Sequence, residues 1–250
     1  MTTSLEEKIK YYDDEYRAGR ALITDKQFDQ LERNLLRIDP KCDYFNKQNK
    51  LVLPSLPKDN LEEFLEGLLL NTRIIIEPKI DGCALAISYK DGNLEKAISR
   101  KGIDVSEKIK AIQTIPKRLP FRSSFMVRGE LFTKEEEPAF SQRIASGYLR
   151  SKSYEPNQKI TFAAFQIING NCNQYESLNY LRKLGFSVLE SYQANRTSQI
   201  ETYRQAWKSG KLFSDWPTDG IVVKINSRKL QLLREKSYGT YPHWQMAIKF

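Results

Sequence analysis

Residues 74–82 read Ile-Ile-Ile-Glu-Pro-Lys-Ile-Asp-Gly, and this stretch governs the interpretation of the whole chain. Three consecutive β-branched residues predict a buried strand, and the proline removes a backbone donor near its end. Lys79 is therefore presented at the end of a rigid strand, between the carboxylates of Glu77 and Asp81. A fixed amine whose proton can be removed is a nucleophile for phosphorus or carbonyl centres. Taken alone, the stretch also fits a surface strand end that carries ordinary charges.

The composition favours a protein that meets a polyanion. Across 250 residues, 40 Lys and Arg stand against 31 Asp and Glu, which gives a formal charge of +9. A positive balance of this size permits a nucleic-acid partner without identifying one. The N-terminus lacks signal-peptide order and no apolar run reaches membrane-spanning length, so we expect a soluble, intracellular, cytoplasmic protein with no membrane partner.

Cysteine and histidine usage excludes several kinds of site. Cys42, Cys83 and Cys172 lie far apart without CxxC spacing, which argues against a disulfide framework and against a zinc site. His243 is the single histidine, so neither a histidine-based triad nor a histidine-rich metal centre is expected. No protein metal site is predicted, and the chemistry must depend on lysine, carboxylates and added Mg²⁺.

Hydrophobic periodicity predicts an α+β fold preceded by a small helical domain. Two capping boxes, Ser4 with Glu7 and Thr24 with Gln27, begin two N-terminal helices, the first of which closes at Gly19. Further helices are predicted at Leu61–Leu70, Gln174–Leu184, Ser198–Lys208 (with Glu201 completing a capping box) and Arg228–Lys236. Strands are predicted at Ala84–Tyr89, Leu94–Ser99, Phe125–Phe132, Ile160–Ile168, Phe186–Tyr192, Gly220–Ile225 and Trp244–Phe250. Asp91-Gly92 predicts a tight hairpin turn.

Several charged residues fall inside or at the ends of apolar strands, where a charge is costly unless it is paired or meets a ligand. They are Arg100, Arg128, Glu130, Lys224 and Lys249. Each has an ordinary explanation: a lysine extending to solvent, a charge on an edge strand, or a local ion pair. Together with Lys79 they predict one cleft for a phosphorylated ligand.

Four segments, in order, resemble motifs of the NAD-dependent DNA ligases. They are Glu-Pro-Lys-Ile-Asp-Gly (77–82), Val-Arg-Gly-Glu-Leu-Phe (127–132), Asp-Gly-Ile-Val-Val-Lys (219–224) and Trp-Gln-Met-Ala-Ile-Lys-Phe (244–250). The resemblance implies a nucleotidyltransferase, ATP-grasp-like fold of antiparallel sheets flanked by helices. It also implies an enzyme that uses NAD as AMP donor, with Mg²⁺, in DNA replication and repair.

Carried over by position, the resemblance implies a role for each matching residue. Lys79 would attack the α-phosphorus of NAD, form lysyl-AMP and release nicotinamide mononucleotide (NMN). Glu77 would accept from the adenine amino group, Phe165 would stack on adenine, and Ser55 and Leu56 would border the nucleotide. Asp81, Arg100 and Glu130 would hold ribose or organise Mg²⁺ and water, and Lys224 and Lys249 would contact the α-phosphate.

The same resemblance implies residues that bind the NMN half of NAD and residues that bind the DNA substrate. Tyr16, Asp25, Phe28 and Asp29 occupy the places of an NMN-binding signature, although without the ligase motifs Tyr16 and Phe28 would simply pack two helices together. Arg143 and Arg150 resemble a segment that meets the 5′-phosphate of nicked double-stranded DNA, and of the two the spacing favours Arg150. Such contacts give affinity without sequence preference.

The resemblance also implies a division of the chain. Residues 1–45 would form the helical NMN-binding domain, 46–60 a linker and 61–250 the adenylation domain, with the family's OB-fold, zinc finger, helix-hairpin-helix and BRCT domains absent. We therefore expect self-adenylation, with weak nick sealing unless a separate DNA-binding partner assists. Two alternatives stay open: a compact RNA ligase or other nucleotidyltransferase, and a non-catalytic ligase remnant that binds NAD or nucleic acid.

Overall fold

The structure, a computed structural model, describes residues 4–17, 22–39, 56, 60–100, 102–134, 138–151, 159–168, 170–238 and 242–249. Within the helices, the side chains at 16, 17, 25, 26, 29, 33, 36, 138, 139 and 236–238 lie outside this description. The chain divides into two compact units, Met1–Val52 and Leu53–Phe250. In the described ranges no helix is long and apolar enough to cross a membrane.

The described part of the first unit contains the helices α1 (Leu5–Arg17) and α2 (Asp25–Ile38). Both predicted capping boxes are present: the Glu7 backbone donates to the Ser4 hydroxyl at 3.1 Å, and Thr24 and Gln27 cap each other reciprocally. Apolar residues at helical spacing bury against one another, namely Ile9 and Leu35 with Leu5, Phe28 and Leu31 around them. The predicted closing Gly19 lies outside the described residues.

Among its described residues, the second unit has two four-stranded antiparallel sheets, which confirms the predicted α+β class. Its strands are β1 (Ile74–Ile80), β2 (Cys83–Lys90), β3 (Asn93–Ser99), β4 (Phe125–Thr133), β5 (Ile160–Ile168), β6 (Tyr192–Ala194), β7 (Thr218–Ile225) and β8 (Gln245–Lys249). The first sheet has the order β6-β1-β7-β8 and the second has the order β3-β2-β4-β5. Strands β1 and β2, adjacent in sequence, therefore belong to different sheets.

Helices connect and flank the strands. They are α3 (Leu61–Leu65), α4 (Ser106–Lys110), α5 (Pro138–Arg150), α6 (Gln174–Lys183), α7 (Thr197–Lys208) and α8 (Arg228–Tyr238). The predictions at the positions of α6, α7 and α8 are confirmed, whereas α4 and α5 were not predicted. Asn173 and Glu176 form a capping box that begins α6.

The predicted β2–β3 hairpin is confirmed, with its turn at Asp91-Gly92. Both residues have positive φ, 49° and 78°, as a tight turn of this type requires. Glycine is needed at the second position for a further reason, because a Cβ there would lie 2.6 Å from the Phe121 carbonyl oxygen.

Three details of the secondary-structure prediction are wrong. Helix α3 ends at Leu65 and not at Leu70, because the chain turns at Gly67 (φ 70°) and leaves the last predicted apolar residues exposed. Of the strand predicted at Phe186–Tyr192, only Tyr192 lies in a strand, β6, since Phe186 lies in the core of the second sheet and Tyr192 packs on the core of the first. The cap of α7 is Arg196, not the predicted Ser198–Glu201 box.

Each sheet has an apolar core on one face. The first core includes Ile74, Ile76, Val223 and Trp244, and the second includes Leu85, Val127 and Phe162. Because side chains alternate along a strand, the intervening residues of β1, β7 and β4 point away from these cores. Glu77, Arg128, Glu130 and Lys224 lie on those opposite faces.

Candidate active site

Strand pairing places the predicted lysines on one face of the first sheet. On β1, the side chains of Glu77 and Lys79 point to one face of the sheet, and that of Ile76 points to the other. Lys224 of β7 lies opposite Ile75, and Lys249 of β8 lies opposite Gly220. Directly opposed residues share a face, so Glu77, Lys79, Lys224 and Lys249 project from the same side of the sheet.

A β-bulge brings a further carboxylate to Lys79. The register of β1 against β7 shifts between Pro78, opposite Ile221, and Ile80, opposite Thr218. Asp219 and Gly220 together therefore oppose Lys79. A bulge of this kind redirects a side chain, and here the Asp219 carboxylate meets the Lys79 amine.

Asp219 joins two lysines through its two carboxylate oxygens. The Lys79 Nζ lies 2.5 Å from Oδ1, and the Lys249 Nζ lies 2.6 Å from Oδ2. All three side chains are partly exposed, at 21%, 24% and 36% for Lys79, Asp219 and Lys249. The cluster is thus reachable from solvent, unlike a structural ion pair in a core.

The electrostatics of this cluster favour a reactive amine at Lys79. Burial lowers the pKa of Lys79 and outweighs the bond to Asp219, and the charge of Lys249 lowers this pKa further. Burial also opposes the charge on Lys249, but the hydrogen bond to Asp219 prevails and raises its pKa. The same geometry therefore separates one lysine that loses its proton more readily from one that stays cationic.

A second cluster lies deeper on the same face. The Lys224 Nζ lies 2.7 Å from Glu77 Oε2, with the two side chains only 2% and 7% exposed. It also donates to the Phe165 carbonyl oxygen at 3.3 Å and stands 4.9 Å from the centre of the Phe165 ring. Burial lowers the pKa of Lys224, opposed by the Glu77 charge. Sequence reasoning grouped Lys224 with Lys249, whereas its contacts are with Glu77 and Phe165.

The turn after β1 packs closely on β4 and brings Glu130 to the exposed cluster. A Cβ on Gly82 would lie 2.3 Å from the Leu131 carbonyl oxygen and 3.0 Å from Glu130 Cγ, so only glycine permits this approach. Burial raises the pKa of Glu130 to about 8, against the opposing charges of Lys79 and Arg100. Lys79 and Arg100 are therefore both close enough to Glu130 to influence its charge.

Asp81 belongs to the same group. Burial and the charge of Asp219 both raise the pKa of the Asp81 carboxyl, while Lys79 and Lys249 lower it. Its backbone N–H donates to the Pro217 carbonyl oxygen at 2.8 Å, which ties the turn after β1 to the segment that precedes Asp219.

The predicted nucleic-acid contacts lie on helix α5. Arg143 and Arg150 are both exposed and are separated by two helical turns. The Arg143 guanidinium lies 5.5 Å from the Phe140 ring, and Arg150 donates to the Ser146 hydroxyl at 3.0 Å.

The remaining predicted residues are described only in part. Phe28 packs against the core of the helical unit. Tyr16 lies in α1, and Asp25 and Asp29 lie in α2, but their side chains are outside the described set, as is Ser55 altogether. Leu56 is partly buried.

Sequence reasoning missed two residues of these clusters. Asp219 is the first residue of the motif at 219–224 that also contains Lys224. A carboxylate directly before a glycine in that motif was the signal that could have found it. Gln174, which donates to Glu77 Oε1 at 2.8 Å, carries no sequence signal beyond its place at the start of a helix.

Comparison with known proteins identifies the family of this chain. The profile of the NAD-dependent DNA ligase adenylation domain matches residues 57–250. The DNA ligase of Petrotoga mobilis is 29% identical over 284 residues, a match covering 92% of this chain and 42% of that protein. The DNA ligase of Thermotoga maritima is 28% identical over 302 residues, covering 98% of this chain and 44% of that protein. The chain spans less than half the length of these relatives.

One solved structure supports the fold assignment. The structure named Pmar-Lig_Pre aligns with a TM-score of 0.53 at 13% identity, and covers 92% of this chain and 52% of its own. This likeness concerns the fold alone, whereas the profile match covers most of the chain and both lysine clusters. The chain belongs to the NAD-dependent DNA ligase adenylation domain family.

Proposed function

We propose that this chain carries out the lysine adenylation step of an NAD-dependent DNA ligase, with Lys79 as the nucleophile. The observation that carries the proposal is the contact of Lys79 with Asp219, which Lys249 shares. This arrangement combines an amine of lowered pKa with an adjacent ammonium of raised pKa. Attack on a phosphorus centre needs both, because the first supplies a lone pair and the second neutralises the phosphate.

The step at phosphorus exchanges one bond for another. The neutral Lys79 amine forms a nitrogen–phosphorus bond to the α-phosphorus of NAD, and the bond from that phosphorus to the bridging oxygen breaks. NMN leaves with its own phosphate, and the nitrogen gives a proton to water. The Lys249 ammonium stabilises the negative charge on the non-bridging oxygens. To do so, it gives up its contact with Asp219 and contacts the phosphate. The adenylate is then transferred to a 5′-phosphate.

The buried cluster is the proposed adenine site. Glu77 accepts from the adenine amino group, and the Phe165 ring stacks on the base. We assign Lys224 to this site and not to the α-phosphate, because its ammonium is buried, pairs with Glu77 and faces the Phe165 ring. An amine in this position donates to a ring nitrogen of adenine.

A divalent cation fits the exposed cluster only with help from the substrate. The described residues contain no group of three or more His, Cys, Asp or Glu side chains that could hold a metal ion. Mg²⁺ commonly binds through one or two carboxylates, waters and substrate phosphates. Glu130 and Asp81 are the carboxylates we propose for it, with Arg100 near Glu130. When bound, Mg²⁺ supplies positive charge at the phosphate and favours the neutral form of Lys79. The same residues would hold the ribose.

Specificity for NAD over ATP is proposed to come from the N-terminal helices. Tyr16, Asp25, Phe28 and Asp29 are the residues proposed to contact NMN. Phe28 is only partly buried between the helices, so part of its ring remains available for stacking. Residues 1–45 are the proposed NMN-binding domain, 46–60 the linker and 61–250 the adenylation domain. Ser55 and Leu56 are proposed to border the nucleotide.

Nicked double-stranded DNA is the proposed substrate for adenylate transfer. Arg143 and Arg150 are exposed cations on one helix, and phosphate contacts of this kind hold nucleic acid without reading its sequence. The relatives in which DNA ligase is the named activity are more than twice as long as this chain. We therefore propose that efficient sealing depends on further DNA-binding parts or on a separate partner.

Intact-mass spectrometry after incubation with NAD and Mg²⁺ tests the proposal. We expect a covalent AMP adduct on the wild-type chain, and none on Lys79→Ala or on Lys79→Arg, which keeps the charge but not the nucleophile. Lys90→Ala, a change at an exposed lysine on β2, is the matched control and keeps the adduct. An adduct that survives Lys79→Ala, or its absence from the wild type, would refute the assignment.

Two further comparisons separate the finer parts of the proposal. NAD should form the adduct faster than ATP, and equal rates would contradict a role for the helical domain. Transfer from the purified adduct to nicked DNA, and not to nicked RNA, would support a DNA substrate.

A further inference from the structure

Gln174, the first residue of α6, places a neutral amide inside the buried cluster. The residue is 3% exposed, and its Nε2 donates to Glu77 Oε1 at 2.8 Å and to the Phe165 carbonyl oxygen at 2.9 Å. Both partners are acceptors, so the nitrogen and not the oxygen of the amide must face them. The two N–H groups of this amide are therefore fully used.

The Phe165 carbonyl is available for this bond because of a bulge in β5. The register of β4 against β5 shifts between Arg128, opposite Gln166, and Gly129, opposite Ala164. Phe165 is the additional residue that this shift leaves between the paired positions. Its carbonyl oxygen accepts instead from two side chains, Gln174 and Lys224.

Gln174 and Lys224 thus bridge the same two groups. Each joins the Glu77 carboxylate on β1 of the first sheet to the Phe165 backbone on β5 of the second. A carboxylate has about four acceptor positions, and these two donors use one on each oxygen. Glu77 keeps acceptor capacity for one more donor without losing either bond.

We infer that Gln174 is a positioning residue for recognition of the nucleotide base. By linking the Glu77 carboxylate to the backbone that carries the Phe165 ring, it sets the separation between the acceptor of the base amino group and the surface on which the base stacks. Lys224 cannot perform this task alone, because its flexible stem fixes a charge but not an orientation. The inference rests on the proposed function and extends it to the selection of an amino-bearing purine.

The test compares two dinucleotides that differ at the position Glu77 would read. Adduct formation is measured with NAD and with nicotinamide hypoxanthine dinucleotide, in which a carbonyl oxygen replaces the amino group and the adjacent ring nitrogen carries a proton. Gln174→Met keeps the side-chain volume and removes both donors. We expect its preference for NAD, as the ratio of the two kcat/KM values, to fall about tenfold below wild type, through KM more than kcat.

Gln231→Met is the matched control. Gln231 is also 3% exposed, donates to the Ile225 carbonyl oxygen at 2.8 Å and accepts from the Arg228 guanidinium at 3.2 Å, so its described hydrogen bonds involve neither Glu77 nor Phe165. A purely structural role for Gln174 would lower the rates with both dinucleotides equally, as Gln231→Met is expected to do. The inference would be overturned if the ratio of the two kcat/KM values were unchanged in Gln174→Met. It would also be overturned if this ratio fell by the same factor in Gln231→Met as in Gln174→Met.

The outcomes also separate this inference from the proposed function. A wild-type chain that forms no adduct defeats the proposed function itself. A wild-type adduct with an unaltered base preference in Gln174→Met defeats only the role of Gln174. If Gln174→Met does not fold, Gln174→Asn, which keeps an amide one methylene shorter, is measured in its place and should show the same loss of preference.

Discussion

Removing Lys224 tests whether the buried pair with Glu77 has the consequences that its burial implies. At 2.7 Å and an effective dielectric constant of about 20, the attraction amounts to about 6 kcal/mol. Desolvation of two ions costs several kcal/mol each, so the intact pair contributes little net stability. Lys224→Met leaves the Glu77 carboxylate buried with the Gln174 amide as its remaining side-chain partner among the described residues. We therefore expect a loss of roughly 3–5 kcal/mol in the free energy of unfolding.

The loss should be conditional on Glu77. Glu77→Gln alone leaves Lys224 as the uncompensated charge and is expected to cost a similar amount. The double variant has no buried charge here, so its cost should fall short of the sum of the single costs by roughly 2–4 kcal/mol. Urea unfolding followed by tryptophan fluorescence measures this, because Trp207, Trp216 and Trp244 all lie in the second unit.

An exposed pair at the same distance provides the control. Lys110 and Glu107 of α4 also approach to 2.7 Å, with side chains 49% and 69% exposed. Lys110→Met should therefore cost less than about 0.5 kcal/mol. If Lys224→Met costs no more than Lys110→Met, or if the Glu77 and Lys224 costs simply add, the reasoning from burial is wrong.

Two further changes probe the exposed cluster and the packing behind it. Asp219→Asn removes the carboxylate charge that raises the pKa of Lys79, so this pKa should fall further and the acid limb of the pH–rate profile for adduct formation should move to lower pH. Single-turnover rates measured over a pH series that spans this limb in both proteins test it, and an unmoved or upward-shifted limb would contradict the role of the bridge. Gly129→Ala should destabilise the chain by roughly 3 kcal/mol or more, because the added Cβ would lie 2.1 Å from Phe162 Cζ. As the control, Gly147→Ala should be neutral or stabilising, because Gly147 lies in a helix and a Cβ added there would have no neighbouring atom within 4 Å. Thermal unfolding of the two variants decides the point, and equal melting temperatures would count against it.

Features written in a few adjacent residues were predictable. The β-branched run begins β1 at Ile74, the Asp91-Gly92 pair turns the hairpin, and the Thr24–Gln27 box begins α2. Each depends on backbone preferences or bonds within about four residues, which the sequence states directly. Two of the errors, at the Phe186–Tyr192 segment and at the end of α3, concern apolar residues whose burial depends on tertiary packing and not on their local pattern.

The sequence by itself determined the class of fold, the family and the residue types available for chemistry, since ordered motifs and local periodicity carry that information. Only the tertiary structure decided how those residues are shared out. Strand β1 pairs with β7 about 140 residues later, and the bulge in that pairing brings Asp219 to Lys79. The same sheet pairs Lys224 with Glu77 and leaves Lys249 with Asp219. Such partnerships depend on long-range register and burial, which no local pattern of residues encodes.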